Sequence, residues 1–143
     1  RLFPRYPQLR LYVLGKGPAI EHPGVISLGF SDNVKLWLNS VDLVLNTNRQ
    51  SYFDLSLLEC LCVGSPLLFS LTNGHEYFEA HQHEGLIGYR GKEDFLVKLE
   101  HFINAYDQPT KRKGIEQNQA LFQSTFSSEL YQKRLFALIN SLS

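Results

Sequence analysis

The chain has 143 residues, 43% of them hydrophobic, which suits one domain with a single buried core. Fourteen basic residues balance fourteen acidic ones, and the longest run of like charge is Lys111–Lys113. We therefore expect no electrostatic capture of nucleic acid or of an anionic membrane surface. No apolar run reaches the roughly 20 residues that span a bilayer, and no charged-then-apolar leader is visible, so we expect a cytoplasmic protein.

The two cysteines, Cys60 and Cys62, lie two positions apart in a segment with a helical pattern. On a helix their side chains would point about 200° apart, so they cannot form a disulfide with each other. We expect both to be reduced thiols in the core. The first seven residues, "RLFPRYP", resemble the end of a connection, and we expect the chain to be a fragment.

Short apolar runs with β character alternate with helical segments along the chain. The predicted strands are Arg10–Leu14, Val25–Leu28, Asp42–Asn46, Pro66–Phe69 and Gly85–Tyr89. The predicted helices cover 31–40, capped by Ser31 or Asp32, a segment from about 51–54 to the stop signal Gly64, then 92–105, 109–123 and 128–142. This order predicts an α/β fold: a Rossmann-like parallel sheet with helices on both faces and a C-terminal helical extension.

Two of these helices carry apolar stripes. In the helix before Gly64 we assign the stripe to Leu55, Leu58 and Cys62. In the last helix the stripe suited to packing consists of Tyr131, Leu135, Leu138 and Leu142.

Ligands of parallel sheets bind beyond the carboxyl ends of the strands. The segments predicted at that edge are Gly15–Pro18, Gly29–Ser31, Asn46–Asp54 and Ser70–Glu76. The glycines Gly15 and Gly17 would let the backbone approach a planar or phosphorylated ligand, although a plain tight turn explains them equally well.

The stretch from Asn48 to Glu59 is more informative. A helix that starts near Ser51–Asp54 presents free N–H groups and a partial positive charge, which suit phosphate oxygens. Glu59 lies at least one turn further along, where a carboxylate can accept two hydrogen bonds from a ribose diol. The alternative is a solvated glutamate on a helix face.

Five segments taken in order, "LRLYVLGKGP", "GVISLGF", "SVDLVLN", "LLECLCVGSPLLFS" and "TNGHE", resemble the C-terminal half of two-domain GT-B glycosyltransferases. The similarity is to the large retaining group 1 (family 4) and runs from about Leu9 to Ile103. Its most specific piece is Leu58–Pro66, which resembles Leu-Glu-Ala-x-Ala-x-Gly-x-Pro.

The resemblance implies a nucleotide-sugar donor site in this half. It assigns the ribose contact to Glu59, the base to backbone groups near Gly15, Gly17, Gly29 and Phe30, and the phosphates to the helix start, which comprises Ser51, Tyr52, Phe53, Asp54 and Leu55. The nucleotide sugar is a substrate, and no metal or other cofactor is implied.

The sequence departs from the family at the helix start. The first of the family's two glutamates falls on Ser51, and its Gly-Phe-Gly corresponds to Tyr52–Asp54. Asp54 is a candidate for a sugar contact in place of that glutamate. A carboxylate 4 Å from a phosphate charge is repulsive by about 4 kcal/mol at an effective dielectric near 20. Arg49 is the candidate phosphate contact that would compensate it.

The resemblance also implies parts outside residues 1–143. We expect this chain to be a single nucleotide-sugar-binding domain that lacks its first strand and helix. The glycan or glycoconjugate acceptor would bind through a missing N-terminal domain, and the fragment alone would be inactive. Peripheral membrane association of the full-length enzyme and any oligomeric state stay open.

Three histidines with two glutamates, His75, His81, His83, Glu76 and Glu79, form a tempting metal cluster. Their spacing suits neither one helix face nor a zinc pattern, so we interpret the segment as a surface loop.

Three classes of function remain. The leading one is the donor-binding half of a hexosyltransferase-type enzyme that makes a polysaccharide or glycoconjugate with retention. The alternative is a glycosyltransferase-like partner subunit that has lost its chemistry, which Ser51 favours. An unrelated receiver-type module is disfavoured because its acidic pair is missing after the first strand.

Overall fold

The computed structural model describes residues 2–18, 20–52 and 54–141. The predicted site residue Phe53 and the predicted stripe residue Leu142 therefore lie outside the described residues. The chain divides into two compact units, Arg1–Leu36 and Trp37–Ser143, which we describe separately.

The first unit contains two parallel strands, β1 (Leu11–Leu14) and β2 (Val25–Gly29). Leu11 lies opposite Val25, and a register shift after Val13 places Leu14 opposite Gly29. Helix α1 (Val34–Ser40) crosses the boundary between the units and starts three residues later than predicted. The hydroxyl of Ser31 accepts a hydrogen bond from the Asn33 N–H, which forms a turn before the helix instead of its cap.

The second unit contains a sheet of three parallel strands in the order β3 (Val44–Asn46), β4 (Leu67–Ser70) and β5 (Leu86–Tyr89). Its helices are α2 (Leu55–Val63), α3 (Gly91–Ala105), α4 (Gln108–Thr125) and α5 (Ser128–Ser141). All four residues of β4 are buried, as expected for a central strand covered on both faces. The α/β class, the parallel strands and the C-terminal helical extension are confirmed.

Helix α2 packs on the sheet through Leu57, Cys60 and Leu61, which are buried. The predicted stripe was wrong, since Leu55 and Cys62 are exposed. Apolar residues surround most of this short helix, so periodicity alone does not select the buried face. The expectation of two core thiols therefore holds for Cys60 only.

Gly64 ends α2 as predicted. Its φ of 93° lies in the left-handed region, and its N–H donates to the carbonyl of Cys60 at 2.8 Å.

Helix α4 closes the amino end of the sheet by direct backbone contact. A Cβ on Gly85, just before β5, would lie 2.5 Å from the carbonyl oxygen of Gly114 on α4. One turn later, the buried Asn118 donates hydrogen bonds to the carbonyls of Ser65 at 2.9 Å and Gly85 at 3.0 Å. These contacts tie α4 to the residues that precede β4 and β5.

Two other segments differ from the sequence prediction. Residues Asn73–His81 form a 3-10 helix in which His75 and Phe78 are buried, so the predicted surface loop was wrong there. The ring of Phe78 packs against Phe69 and Phe126, with ring centroids 6.1 and 5.6 Å away. On α5, no residue is buried, and the predicted stripe residues Tyr131, Leu135 and Leu138 are exposed.

Candidate ligand-binding site

A cleft of about 540 Å³ lies at the carboxyl ends of the three strands of the second unit. Its lining comes from the last residues of β4 and β5 and from the segments that follow the three strands. These residues are Thr47, Asn48, Arg49, Ser70, Leu71, Thr72, Tyr89, Arg90, Gly91, Lys92 and Phe95. This is the edge at which parallel sheets bind ligands, as the element order predicted.

The cleft carries positive charge. Arg90 forms ion pairs with Glu76 at 3.3 Å and Glu79 at 3.0 Å. In contrast, Arg49 and Lys92 have no hydrogen-bond or ion-pair partner among the described residues. Lys92 also belongs to the first turn of the 15-residue helix α3, whose unpaired N–H groups add a partial positive charge. The cleft is therefore suited to an anionic group.

Beside Arg49, polar side chains converge on Asp54, the residue that precedes α2. Its Oδ2 accepts hydrogen bonds from Asn46 Nδ2 at 3.1 Å and from Asn48 Nδ2. Burial alone would raise the pKa of Asp54, but hydrogen bonds from Ser51, Asn46 and Asn48, with the nearby His75, lower it below its usual value. Asp54 is therefore a carboxylate at neutral pH.

His75 forms the buried side of this group, with 0% of its surface exposed. Its Nδ1 lies 3.0 Å from the carbonyl oxygen of Ser70, and its Nε2 lies 2.9 Å from Ser51 Oγ and 3.2 Å from Asp54 Oδ2. The serine and the carboxylate thus meet the same ring nitrogen, whereas a catalytic triad places them on opposite nitrogens. Ser51 is also only 1% exposed, so hydrolysis by a serine nucleophile is excluded at this position.

Glu59 is exposed on the second turn of α2, on the side away from Leu57 and Leu61. Its carboxylate has no hydrogen-bond partner among the described residues. Side chains on a helix lean in general toward its N-terminus, which for Glu59 is the start of α2. The proposed ribose contact stays a prediction.

The residues of the predicted phosphate-binding segment differ in burial and in their hydrogen bonds. Ser51 is buried and bonded to His75, while Tyr52 and Leu55 are 91% and 74% exposed. Asp54 has extended backbone angles and does not cap α2 with its side chain, so the first turn of the helix is left uncapped by it. The structure thus brings Ser51 and Asp54 together with Asn46, Asn48 and His75, and leaves Tyr52, Leu55 and Glu59 exposed.

The predicted base-binding residues belong to the first unit. Gly15 and Gly29 follow β1 and β2 with φ of 101° and 69°, and the Gly15 N–H donates to the Gly29 carbonyl at 2.7 Å. Gly17 is exposed, and Phe30 presents 75% of its surface. Both φ angles lie in the left-handed region that favours glycine, and the proposed contact with a base stays a prediction.

Sequence reasoning placed His75 at this edge, within Ser70–Glu76, but missed its contacts with Ser51 and Asp54, and it missed the residues after β5. Ser51 and His75 are 24 positions apart, and no spacing rule joins them. The segment after β5, from Arg90 to Lys92, carried a usable signal, since it follows a predicted parallel strand and leads into a predicted helix.

Within the described ranges, no group of three or more His, Cys, Asp or Glu side chains is placed to hold a metal ion. Across the same residues, no helix is both long enough and apolar enough to cross a bilayer.

No family model and no curated protein matches the sequence. Among solved structures, Anabaena Alr3699/HepE in complex with UDP matches 94% of this chain and 42% of its own, with a TM-score of 0.77 and 17% identity. The complex of HepE with UDP-glucose matches over the same shares, with a TM-score of 0.73 and 18% identity. The complex with UDP and glucose covers 84% of this chain and 33% of its own, with a TM-score of 0.66 and 19% identity.

These matches concern the fold. The chain has the fold of a GT-B-like domain and spans about two fifths of the length of the HepE chain. The ligands in those structures are bound by HepE.

Proposed function

We propose that this chain is the nucleotide-sugar-binding half of a retaining GT-B glycosyltransferase that acts on a polysaccharide or glycoconjugate acceptor. The observation that carries the proposal is the fold shared with HepE in its UDP and UDP-glucose complexes over 94% of the chain. The cationic cleft at the carboxyl ends of β3, β4 and β5 supports it, because a nucleoside diphosphate needs an anion site at such an edge.

In this proposal the second unit holds the ribose and the diphosphate. Glu59 accepts two hydroxyl hydrogen bonds, as a carboxylate can without any change of protonation. The start of α2 and the guanidinium of Arg49 bind phosphate oxygens, and in the complete enzyme they stabilise the departing diphosphate. A direct contact of Asp54 with the sugar would compete with its hydrogen bonds from Asn46 and Asn48 and its contact with His75.

The test is titration of UDP and UDP-glucose into the full-length protein and into this chain by calorimetry. Wild type should bind saturably. Glu59→Gln and Arg49→Ala should each weaken binding about tenfold or more, because hydrogen bonds to charged groups contribute about 1.5–3 kcal/mol.

Two matched variants control for charge. Glu129→Gln on α5 and Arg112→Ala on α4 remove the same charges from exposed positions away from the cleft, and both should leave binding unchanged. Equal weakening by Arg112→Ala and Arg49→Ala would show non-specific electrostatics and contradict the assigned site.

A partner subunit without chemistry is the second candidate, and one observation favours it. The position of the family's first glutamate is filled by Ser51, whose hydroxyl is buried against His75 and offers no carboxylate to a sugar. If the full-length protein bound neither UDP nor UDP-glucose, the proposed donor site would be refuted and the partner-subunit hypothesis would be favoured.

A further inference from the structure

The start of α2 contains an unfavourable charge for the proposed ligand. Asp54 directly precedes the helix, where a diphosphate would approach the first turn. A carboxylate there repels phosphate oxygens unless a cation neutralises it. Arg49 makes no ion pair with Asp54, so the neutralising group must be sought elsewhere.

The hydrogen bonds around His75 determine where the protons of its ring lie. A peptide carbonyl only accepts, so the contact of Nδ1 with the Ser70 oxygen at 3.0 Å requires a hydrogen on Nδ1. At the other nitrogen, Asp54 Oδ2 lies 3.2 Å from Nε2, and a carboxylate also only accepts. Both ring nitrogens therefore face an acceptor.

Ser51 does not change this result. If Nε2 had no hydrogen, the single hydroxyl hydrogen of Ser51 would donate to it at 2.9 Å, and the carboxylate would face a lone pair. If Nε2 is protonated, it donates to Asp54, and the Ser51 hydroxyl is free to donate to the same carboxylate. Only the second arrangement avoids placing the Asp54 carboxylate 3.2 Å from a ring lone pair, a contact of two acceptors that is repulsive.

We propose that His75 is a positioning residue, held as a doubly protonated imidazolium, that neutralises Asp54 from inside the fold and so keeps the start of α2 open to the diphosphate. Among the described residues, Asp54 is the only charged residue in contact with the His75 ring. The other contacts are Ser51, the Ser70 carbonyl and the edge-on ring of Phe69 at 5.9 Å.

The surrounding backbone fixes this pair in place. The Gly74 N–H donates to the Ser51 carbonyl at 2.9 Å, and the Ser70 hydroxyl donates to the Asn48 carbonyl. A Cβ on Gly74 would lie 1.4 Å from the carbonyl oxygen of Tyr52, so the two loops are in backbone contact. The loop after β4 therefore carries His75 to Asp54. Because His75 neutralises Asp54, Arg49, which has no partner among the described residues, is available to an external anion.

The first experiment does not depend on nucleotide binding. Two-bond proton–nitrogen NMR correlations of the chain at neutral pH should show His75 with both ring nitrogens protonated. In Asp54→Asn the amide can donate to Nε2, so the ring should change to the neutral tautomer with hydrogen on Nδ1 only. His101→Gln, an exposed substitution on α3, serves as the assignment control. A neutral ring in wild type would overturn the proposal.

The second experiment tests the link to binding and rests on the proposed function. His75→Gln should weaken UDP binding about tenfold, because Asp54 is then left negative beside the ligand. The double variant Asp54→Asn/His75→Gln should recover most of that loss, which a purely structural role of His75 would not allow.

The two experiments fail separately. If wild type bound no UDP, the proposed function would fail while the NMR result still decided the state of His75. If wild type bound UDP and the double variant bound as weakly as His75→Gln, the neutralising role would be refuted. If His75→Gln did not fold, the NMR comparison of wild type with Asp54→Asn would decide.

Discussion

The two ends of the β3–β4–β5 sheet are built by different means. At the amino end, α4 covers the strands with glycine against glycine, and a buried asparagine joins two backbone carbonyls. At the carboxyl end, polar side chains line an open cleft together with Arg49 and Lys92, which have no partner among the described residues. The amino end is therefore where substitutions should alter stability, and the carboxyl end is where they should alter binding.

The largest expected effect is at Asn118. Asn118→Ala removes both hydrogen bonds to the carbonyls of Ser65 and Gly85 and leaves a small cavity. We expect a loss of about 3 kcal/mol in the free energy of unfolding, measured by urea denaturation. Asn118→Asp should cost at least as much, since an acceptor replaces the donor.

The adjacent Gln119 is the matched control for this prediction. It is exposed and donates one hydrogen bond to the Val63 carbonyl at 3.0 Å. Gln119→Ala should cost less than about 1 kcal/mol. Equal losses at the two positions would mean that the contact of α4 with the sheet does not depend on the buried amide.

The next effect is steric. In Gly85→Ala, the new methyl group would lie 2.5 Å from the Gly114 carbonyl oxygen, and both partners are backbone. We expect a loss of about 2 kcal/mol from overpacking, again by urea denaturation. Gly17→Ala is the control, because a Cβ there meets no atom within 4 Å. A neutral Gly85→Ala would show that α4 can shift away from the sheet at no cost.

The sequence predicted the buried strands and the end of α2 well for a physical reason. Buried parallel strands such as β4 have continuous apolar sequences. Gly64 marks the end of α2 because glycine adopts the left-handed conformation that ends a helix. The buried face of α2 was not predictable, because Leu55, Leu57 and Cys62 are all apolar and only tertiary packing distinguishes them.

At the carboxyl end of the sheet, the sequence predicted which segments lie at the edge but not the side-chain contacts between them. Strand order alone placed the segments after β3 and β4 there, and Arg49 was named as a candidate. The 3-10 helix and the burial of His75 depend on partners such as Ser51 and Phe69, which are distant in sequence. Such contacts are set by the fold and leave no periodic pattern.

A smaller effect is expected on the stability of the chain at acid pH, through Asp54 at the carboxyl end of the sheet. The pKa of Asp54 is lowered in the folded chain, so its stabilising contribution is present above the usual carboxyl pKa. It is lost as the pH falls through the lowered value. Asp54→Asn should therefore flatten the acid side of a plot of urea midpoint against pH, whereas Asp32→Asn, on an exposed loop, should not. Parallel wild-type and Asp54→Asn curves would contradict the network around Asp54.

The smallest expected effect is on the reactivity of the two thiols of α2, which lie in the second half of that helix. Burial, with the charge of Glu59, raises the pKa of Cys60 to about 12, while Cys62 is exposed. A thiol reagent should therefore label one site per folded chain at neutral pH. Cys62→Ser should abolish the fast labelling and Cys60→Ser should leave it intact. Slow modification of Cys60 then reports local opening of α2, and its rate should rise more in Asn118→Ala than in Gln119→Ala. Asn118 makes two buried hydrogen bonds from α4 to the residues before β4 and β5, whereas Gln119 makes one exposed hydrogen bond to the Val63 carbonyl.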